Sequence, residues 1–247
     1  MPRSVLSDET YAIIRDLVLE HEVAPGQRVN IDALSADLGV SPTPVREALA
    51  RLESDGLVVK TPLRGYSTTP LLTPREFVEL SQFRVLIEQW TAEAAASVVS
   101  PTAADRLQQE LTAAREGIMG LGSGPETLRA LTEHDARFHS QLADLAGNEL
   151  IAQSFERTHF HLHFLRLYMA ARSPVSVGTD GPARRRLSSV MRQWERADQV
   201  TWTIEQHEAI AAAVIGGDGA EAARLMRRHI ETARERTLPI VEALVVD

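Results

Sequence analysis

Cysteine is missing from this 247-residue chain, which excludes disulfides, thiolate nucleophiles and Cys-type zinc fingers together. Lysine is nearly missing as well: Lys60 stands alone, and arginine carries the remaining basic charge. With the richness in alanine, we read this bias as genomic in origin. No apolar run approaches the roughly 18 residues that a membrane-spanning helix requires. The opening, MPRSVLSDETYAIIRDL, lacks the basic-then-apolar order of a secretion signal, so a cytoplasmic location is expected. A basic surplus is lacking too. The net charge is −8, and residues 1–70 hold seven Arg/Lys against ten Asp/Glu. Proteins that bind nucleic acid usually carry a basic footprint, so any phosphate contact must come from a local cluster.

What is present is a soluble globular composition, long enough for one large domain or two ordinary ones. The pattern changes along the chain. Residues 1–70 combine short helical segments with the one convincing hairpin signal. From Pro74 onward, helix follows helix with no alternating strand pattern and no internal repeat. Breaks are expected at Ser100-Pro101, over 120–125, at 146–148, over 172–182 and over 216–219, all rich in Gly, Pro or Asn. The segment SPVSVGTDGP (173–182) reads as an exposed loop. The expected fold is mainly α: a first domain over 1–70, a linker over 71–74, and an antiparallel all-α bundle of six or seven helices over 75–247.

In the first domain, Tyr11, Ile14, Leu17 and Val18 recur at helical spacing, predicting an amphipathic helix over 8–21. APGQRV (24–29) supplies a turn. IDALSADL (31–38) is a short helix stopped by Gly39. SPTPVREALARLESDG (41–56) starts another, with Ser41 or Thr43 as cap and proline in the first turn. Val45, Ala48, Leu49 and Leu52 form its buried stripe, which leaves Thr43, Arg46 and Arg51 pointing elsewhere. A short helix, a glycine turn and a second helix with a polar outer face make a helix-turn-helix. LVVK (57–60) and YSTT (66–69), around a basic turn, read as a wing. PGQRV, LSADLGVSPTPVREALARLESDGLV and RGY closely resemble the GntR-family DNA-binding domain. That resemblance implies a double-stranded DNA partner, with Arg46 contacting a base, most simply guanine O6/N7. It also implies Arg64 and Gly65 at the wing tip near the backbone or minor groove, and Ser41, Thr43 and Arg51 on phosphate or sugar. Pro42 stands where many relatives have a second arginine, so fewer contacts are expected here.

In the second part, Asp135 and His139 lie four apart on one helix face. His207 and His229 sit near apolar stripes of two later helices. One carboxylate and three imidazoles facing inward from three helices suit a divalent ion such as Zn²⁺, Ni²⁺ or Mn²⁺. Hydrogen-bonded core histidines are the competing reading. D-x-x-F-H-x-x-L-x-x-x-x-G-N, H-x-x-I, G-D and R-x-H-I resemble the effector domain of FadR-type GntR regulators, the FCD domain. The resemblance implies metal binding through Asp135, His139, His207 and His229, and an effector that is a small carboxylate. It places Arg84 near the effector pocket, where a guanidinium could clamp a carboxylate through two hydrogen bonds. A surface pair with Glu88 at i+4 is the alternative for Arg84. His159, His161 and His163 alternate and so cannot share one helix face; His163 is the one expected to line the pocket. The function expected is a ligand-responsive homodimeric regulator, in the first instance a repressor, on a short palindromic operator. A metal-dependent enzyme acting on a small carboxylic acid is the alternative.

Overall fold

A computed structural model describes residues 3–122, 124–173, 182–194 and 198–244. The first domain opens with α1 (Arg3–Leu19), which starts earlier and ends earlier than the apolar spacing predicted. Ile14, Val18 and Leu19 form its buried side. In α2 (Ile31–Leu38), the Asn30 side chain accepts from the backbone N–H groups of Asp32 and Ala33. Gly39 then closes the helix in the left-handed region, at φ 65°. In α3 (Pro42–Ser54), Val45, Ala48, Leu49 and Leu52 are fully buried, as their spacing required. β1 (Val58–Thr61) and β2 (Gly65–Thr68) form the antiparallel wing, with Val58 opposite Thr68. A further bridge joins Arg28 to Ser67. The PGQRV turn is therefore tied to the wing, which its Pro-Gly start did not announce.

The linker ends where Thr73 and Glu76 form a reciprocal capping box at the start of α4 (Pro74–Val98). Seven helices follow among the described residues: α5 (Pro101–Ile118), α6 (Pro125–Leu145), α7 (Glu149–Glu156), α8 (Phe160–Arg172), α9 (Pro182–Trp194), α10 (Asp198–Ile215) and α11 (Gly219–Leu244). The expected breaks fall between helices, although most of the 173–182 loop lies outside the described residues. Counting α4, eight helices stand where six or seven were expected. Beyond the five expected breaks, one falls between α9 and α10, across residues outside the described ones, and another separates α7 from α8 at residues 157–159. No Gly or Pro marks it, because His159 itself takes the left-handed conformation, at φ 45°. No helix among the described residues is long and apolar enough to cross a membrane.

The two longest helices, α4 and α11, pack along each other at the centre of the bundle. Small residues make this possible: Ala92 and Ala95 of α4 lie in one cluster with Ala222, Met226 and Ile230 of α11. Phe138 and Leu142 of α6 and Ile210 and Val214 of α10 complete that cluster. A second apolar cluster crosses the domain boundary. It joins Ile14, Leu49 and Leu57 to Leu128 of α6, Leu165 and Tyr168 of α8, and Ile240 of α11. The winged domain is thereby seated on the bundle; truncating one such leucine costs about 2–5 kcal/mol.

Candidate functional site

Asp135 and His139 sit one turn apart on α6, His207 comes from α10 and His229 from α11, and each offers one ligand atom within 4.8 Å of the others. The three histidines are no more than 3% exposed. The Nε2 atoms of His207 and His229 face each other at 3.3 Å. Asp135 Oδ1 lies 3.6 Å from Nε2 of both His139 and His207, and 4.0 Å from that of His229. Two nitrogen ligands at about 2.1 Å from a tetrahedral ion stand about 3.4 Å apart. The donor set and its spacing therefore fit a divalent ion. Phe138 stacks on His207 at 4.2 Å between centroids, and Trp202 stacks on His229 at 5.7 Å. These rings limit rotation of the imidazoles. The Asp135 side chain is 20% exposed against 4% or less for the histidines, so the site opens on its side.

Charge around the cluster is paired with care. Arg84 Nε donates to Glu88 Oε1 at 2.5 Å, and the same carboxylate contacts His139 Nδ1 on its other side. Burial disfavours the charged form of Glu88, but Arg84 and His139 outweigh it and hold the carboxyl down at about 2. Burial likewise disfavours a charged His139, yet Glu88 and Asp135 flank the ring and push it up to about 9. Burial, and after it the neighbouring histidines, push His207 well below its usual range and His229 down to about 3. Behind His207 lies a residue that the sequence reading passed over. His134 is fully buried; its Nε2 lies 2.9 Å from His207 Nδ1, and its Nδ1 lies 2.9 Å from Glu110 Oε1. The spacing Leu131, His134, Phe138, Leu142 places His134 on the core stripe of α6, which was the available signal.

A cavity of about 590 Å³, counting its open mouth, leads to the cluster. Asp135, His229 and Arg84 lie at its polar end, with Phe160, Phe164 and Trp202 among the apolar walls. Arg84 is paired with Glu88, but the pair is buried and not at the surface as the alternative had it, and Arg84 lines the cavity, stacked over the Phe160 ring at 3.7 Å. His163, expected in the pocket, is not among its lining residues; His161 is. Positions two apart on a helix point to opposite sides, so turning His161 inward turns His163 away. Thr132 also lines the cavity, and its buried hydroxyl has no hydrogen-bond partner among the described residues.

On the winged domain, Arg46 is exposed near the start of α3. Ser41 caps that helix, but its hydroxyl makes no capping bond, and Thr43 is exposed beside it. Arg64 and Gly65 are exposed at the wing tip, where Gly65 has φ 82°. Arg51 differs, being already bonded to Asp8 at 2.6 Å and stacked over Tyr11.

Comparison with known proteins agrees with this architecture. The FCD domain matches residues 79–232, and "Bacterial regulatory proteins, gntR family" matches residues 6–66. The chain belongs to the GntR family of transcription regulators with an FCD domain. "Uncharacterized HTH-type transcriptional regulator YdhC" of Bacillus subtilis is 27% identical over 64% of this chain and 68% of its own length. "HTH-type transcriptional repressor RspR" of Escherichia coli is 24% identical over 95% of this chain and 90% of its own. The solved structure of E. coli McbR/YncC shares the fold, with TM-score 0.61 and 18% identity over 92% of this chain and 94% of that one. The family and these relatives are transcription regulators and not enzymes.

Within this GntR–FCD chain, α8 touches both halves. Phe160, His161 and Phe164 line the cavity beside the cluster, while Leu165 belongs to the apolar cluster shared with the winged domain. The His21 ring lies 2.8 Å from the Arg166 carbonyl, and the buried Arg166 guanidinium donates to the Thr69 carbonyl just after β2. His159 closes against Gly56, just before β1. A second cavity, lined by Tyr11, Asp55 and Leu57 of the winged domain, shares Thr132 and His161 as walls with the first.

Proposed function

We propose that this regulator is a cytoplasmic homodimer that binds a short palindromic operator, responds to a small carboxylate held beside a divalent ion, and acts as a repressor. The observation that carries this is the cavity ending on Asp135, His229 and Arg84. Zn²⁺, Ni²⁺ or Mn²⁺ would be held by Asp135, His139, His207 and His229, and when bound would supply open coordination positions for a ligand oxygen. With neutral imidazole ligands, the ion, Arg84, Glu88 and Asp135 together carry one net positive charge, which favours an anion. Arg84 presents its guanidinium from the same wall, and the unpartnered Thr132 hydroxyl offers a further hydrogen bond. Phe160, Phe164 and Trp202 would cover the ligand's apolar part.

A signal has a short route to the DNA. Occupancy pressing on α8 or on the shared walls Thr132 and His161 reaches the contacts that hold the winged domain through Arg166, His21 and Thr69. On the DNA side, Arg46 reads a base edge, Ser41 and Thr43 meet phosphate, and Arg64 and Gly65 approach the backbone. Arg51 would have to release Asp8 to join them. Dimerisation is supported by α4, which exposes Phe83, Leu86 and Trp90 at i, i+3 and i+7. A two-fold dimer matches a palindrome.

The test starts from chelator-stripped protein and an operator selected from genomic fragments. One equivalent of each ion should raise the melting temperature. Within a panel of small carboxylates, one acid should raise it further and change operator affinity by fluorescence anisotropy. A saturating acid at a hundred times its Kd adds about 2.7 kcal/mol of stability. Operator affinity indifferent to every ion and acid would overturn the proposal.

A further inference from the structure

We infer that Glu110 and His134 form a hydrogen-bonded relay that sets the tautomer of His207, so that its Nε2 lone pair is presented to the ion. Neither residue supplies an atom to the ion-binding cluster; both are positioning residues, and the inference rests on the ion proposed above. The argument starts at the surface. Arg137 Nε lies 3.1 Å and 3.0 Å from the two Glu110 oxygens, and the guanidinium is half exposed. Glu110 is thereby kept as a carboxylate, which can only accept hydrogen bonds. His134 must then place its proton on Nδ1, 2.9 Å from Glu110 Oε1. A neutral His134 ring is left with an acceptor at Nε2, 2.9 Å from His207 Nδ1. With His134 Nε2 accepting, the proton of this contact sits on His207 Nδ1. His207 Nε2 is left bare, at 3.6 Å from Asp135 Oδ1 and 3.3 Å from His229 Nε2.

The alternative tautomer, favoured by a free histidine side chain in water, would put the proton on Nε2 and aim it into the cluster, blocking one ligand position. The three histidines differ in how this is prevented. His139 Nδ1 faces the Glu88 carboxylate, His207 Nδ1 faces His134, and His229 Nδ1 has no partner among the described residues. Two of the three ligands are thus oriented from behind by groups that end in a carboxylate, the arrangement by which outer-shell partners fix metal-binding imidazoles. Glu110 lies on α5 and His134 on α6, so the relay also ties the ion site to a helix that contributes no ligand.

The test uses the full chain with ¹⁵N-labelled histidine, free of metal, together with Ni²⁺ affinity by chelator competition. In the native protein, the His207 ring should show a protonated Nδ1 and a bare Nε2. His134→Phe, which fills the same space without an acceptor, should shift His207 towards the Nε2–H form and weaken Ni²⁺ binding about 10- to 100-fold. His134→Gln, whose amide oxygen can accept from His207 Nδ1, should retain most of the affinity. A native His207 protonated at Nε2, or a folded His134→Phe with unchanged Ni²⁺ affinity, would overturn the relay. Should the Phe variant fail to fold, the native tautomer and the Gln variant decide. Native protein that binds no Ni²⁺ while showing the predicted tautomer would instead overturn the ion proposal, and with it the purpose assigned to the relay.

Discussion

Of the groups in the ion site, only His139 holds a proton that an ion must displace near neutral pH. Asp135 is held well below its ordinary range, because the surrounding cations outweigh its burial. His207 is held well below and His229 at about 3, both chiefly by burial. His139 alone is raised, to about 9. Ion binding should therefore release close to one proton per chain between pH 6.5 and 8.5, and affinity should rise about tenfold per pH unit. Over that window the gain is about 2.7 kcal/mol. The metal-free protein should move the other way. A raised folded value stabilises the fold below the unfolded value near 6.5 and is lost as pH rises through 9, a loss on the order of 3 kcal/mol. Isothermal titration with Ni²⁺ in two buffers of different ionisation enthalpy counts the proton, and denaturant unfolding of stripped protein follows the stability. Glu88→Gln removes one of the two carboxylates flanking His139 and should shift the whole dependence to lower pH. Three ordinary histidines would give an affinity flat above about pH 7.5. That flatness, or proton release near zero at pH 7.5, would refute the charge assignment.

Three further perturbations probe other parts. Arg46→Ala should weaken operator binding by about 1–3 kcal/mol in anisotropy titrations while folding and assembly persist. Arg84→Ala leaves Glu88 buried without its guanidinium, so denaturant unfolding should show a loss of about 3–5 kcal/mol, and Arg84→Lys is the cleaner probe of effector response. Leu86→Glu places a charge on the exposed apolar face of α4 and should convert a dimer to a monomer in light scattering, with the helix content unchanged.

Most of the architecture was legible because local rules agree with the fold. The glycine after Leu38, the proline-led first turn of α3 and the stripe from Val45 to Leu52 each specify their element through nearest-neighbour physics. Helix breaks carrying Gly, Pro or Asn were equally plain. The break before α8 was not, since His159 is held in the left-handed region by its setting, and nothing in its own chemistry requires it. The wing edge at Arg28 was hidden for a similar reason: a bridge to Ser67 depends on where the distant strand arrives.

The site divides along the same line. Residue type and spacing were enough to single out Asp135, His139, His207 and His229, because a helix repeats every three to four residues and carries chemistry on one face. Periodicity says nothing about which groups stand behind those ligands. That Glu88 serves Arg84 and His139 together, and that Glu110 reaches His207 through His134, follows only from the packing of α4, α5, α6 and α10. The same holds for His161 replacing His163 in the cavity wall, which turns on the rotation of α8 about its own axis. Sequence alone determined the family, most of the elements and the ligand candidates, since each is written in short-range pattern. Tertiary structure decided protonation, orientation and the contact between cavity and winged domain, because burial and charge pairing act between residues that the chain places far apart.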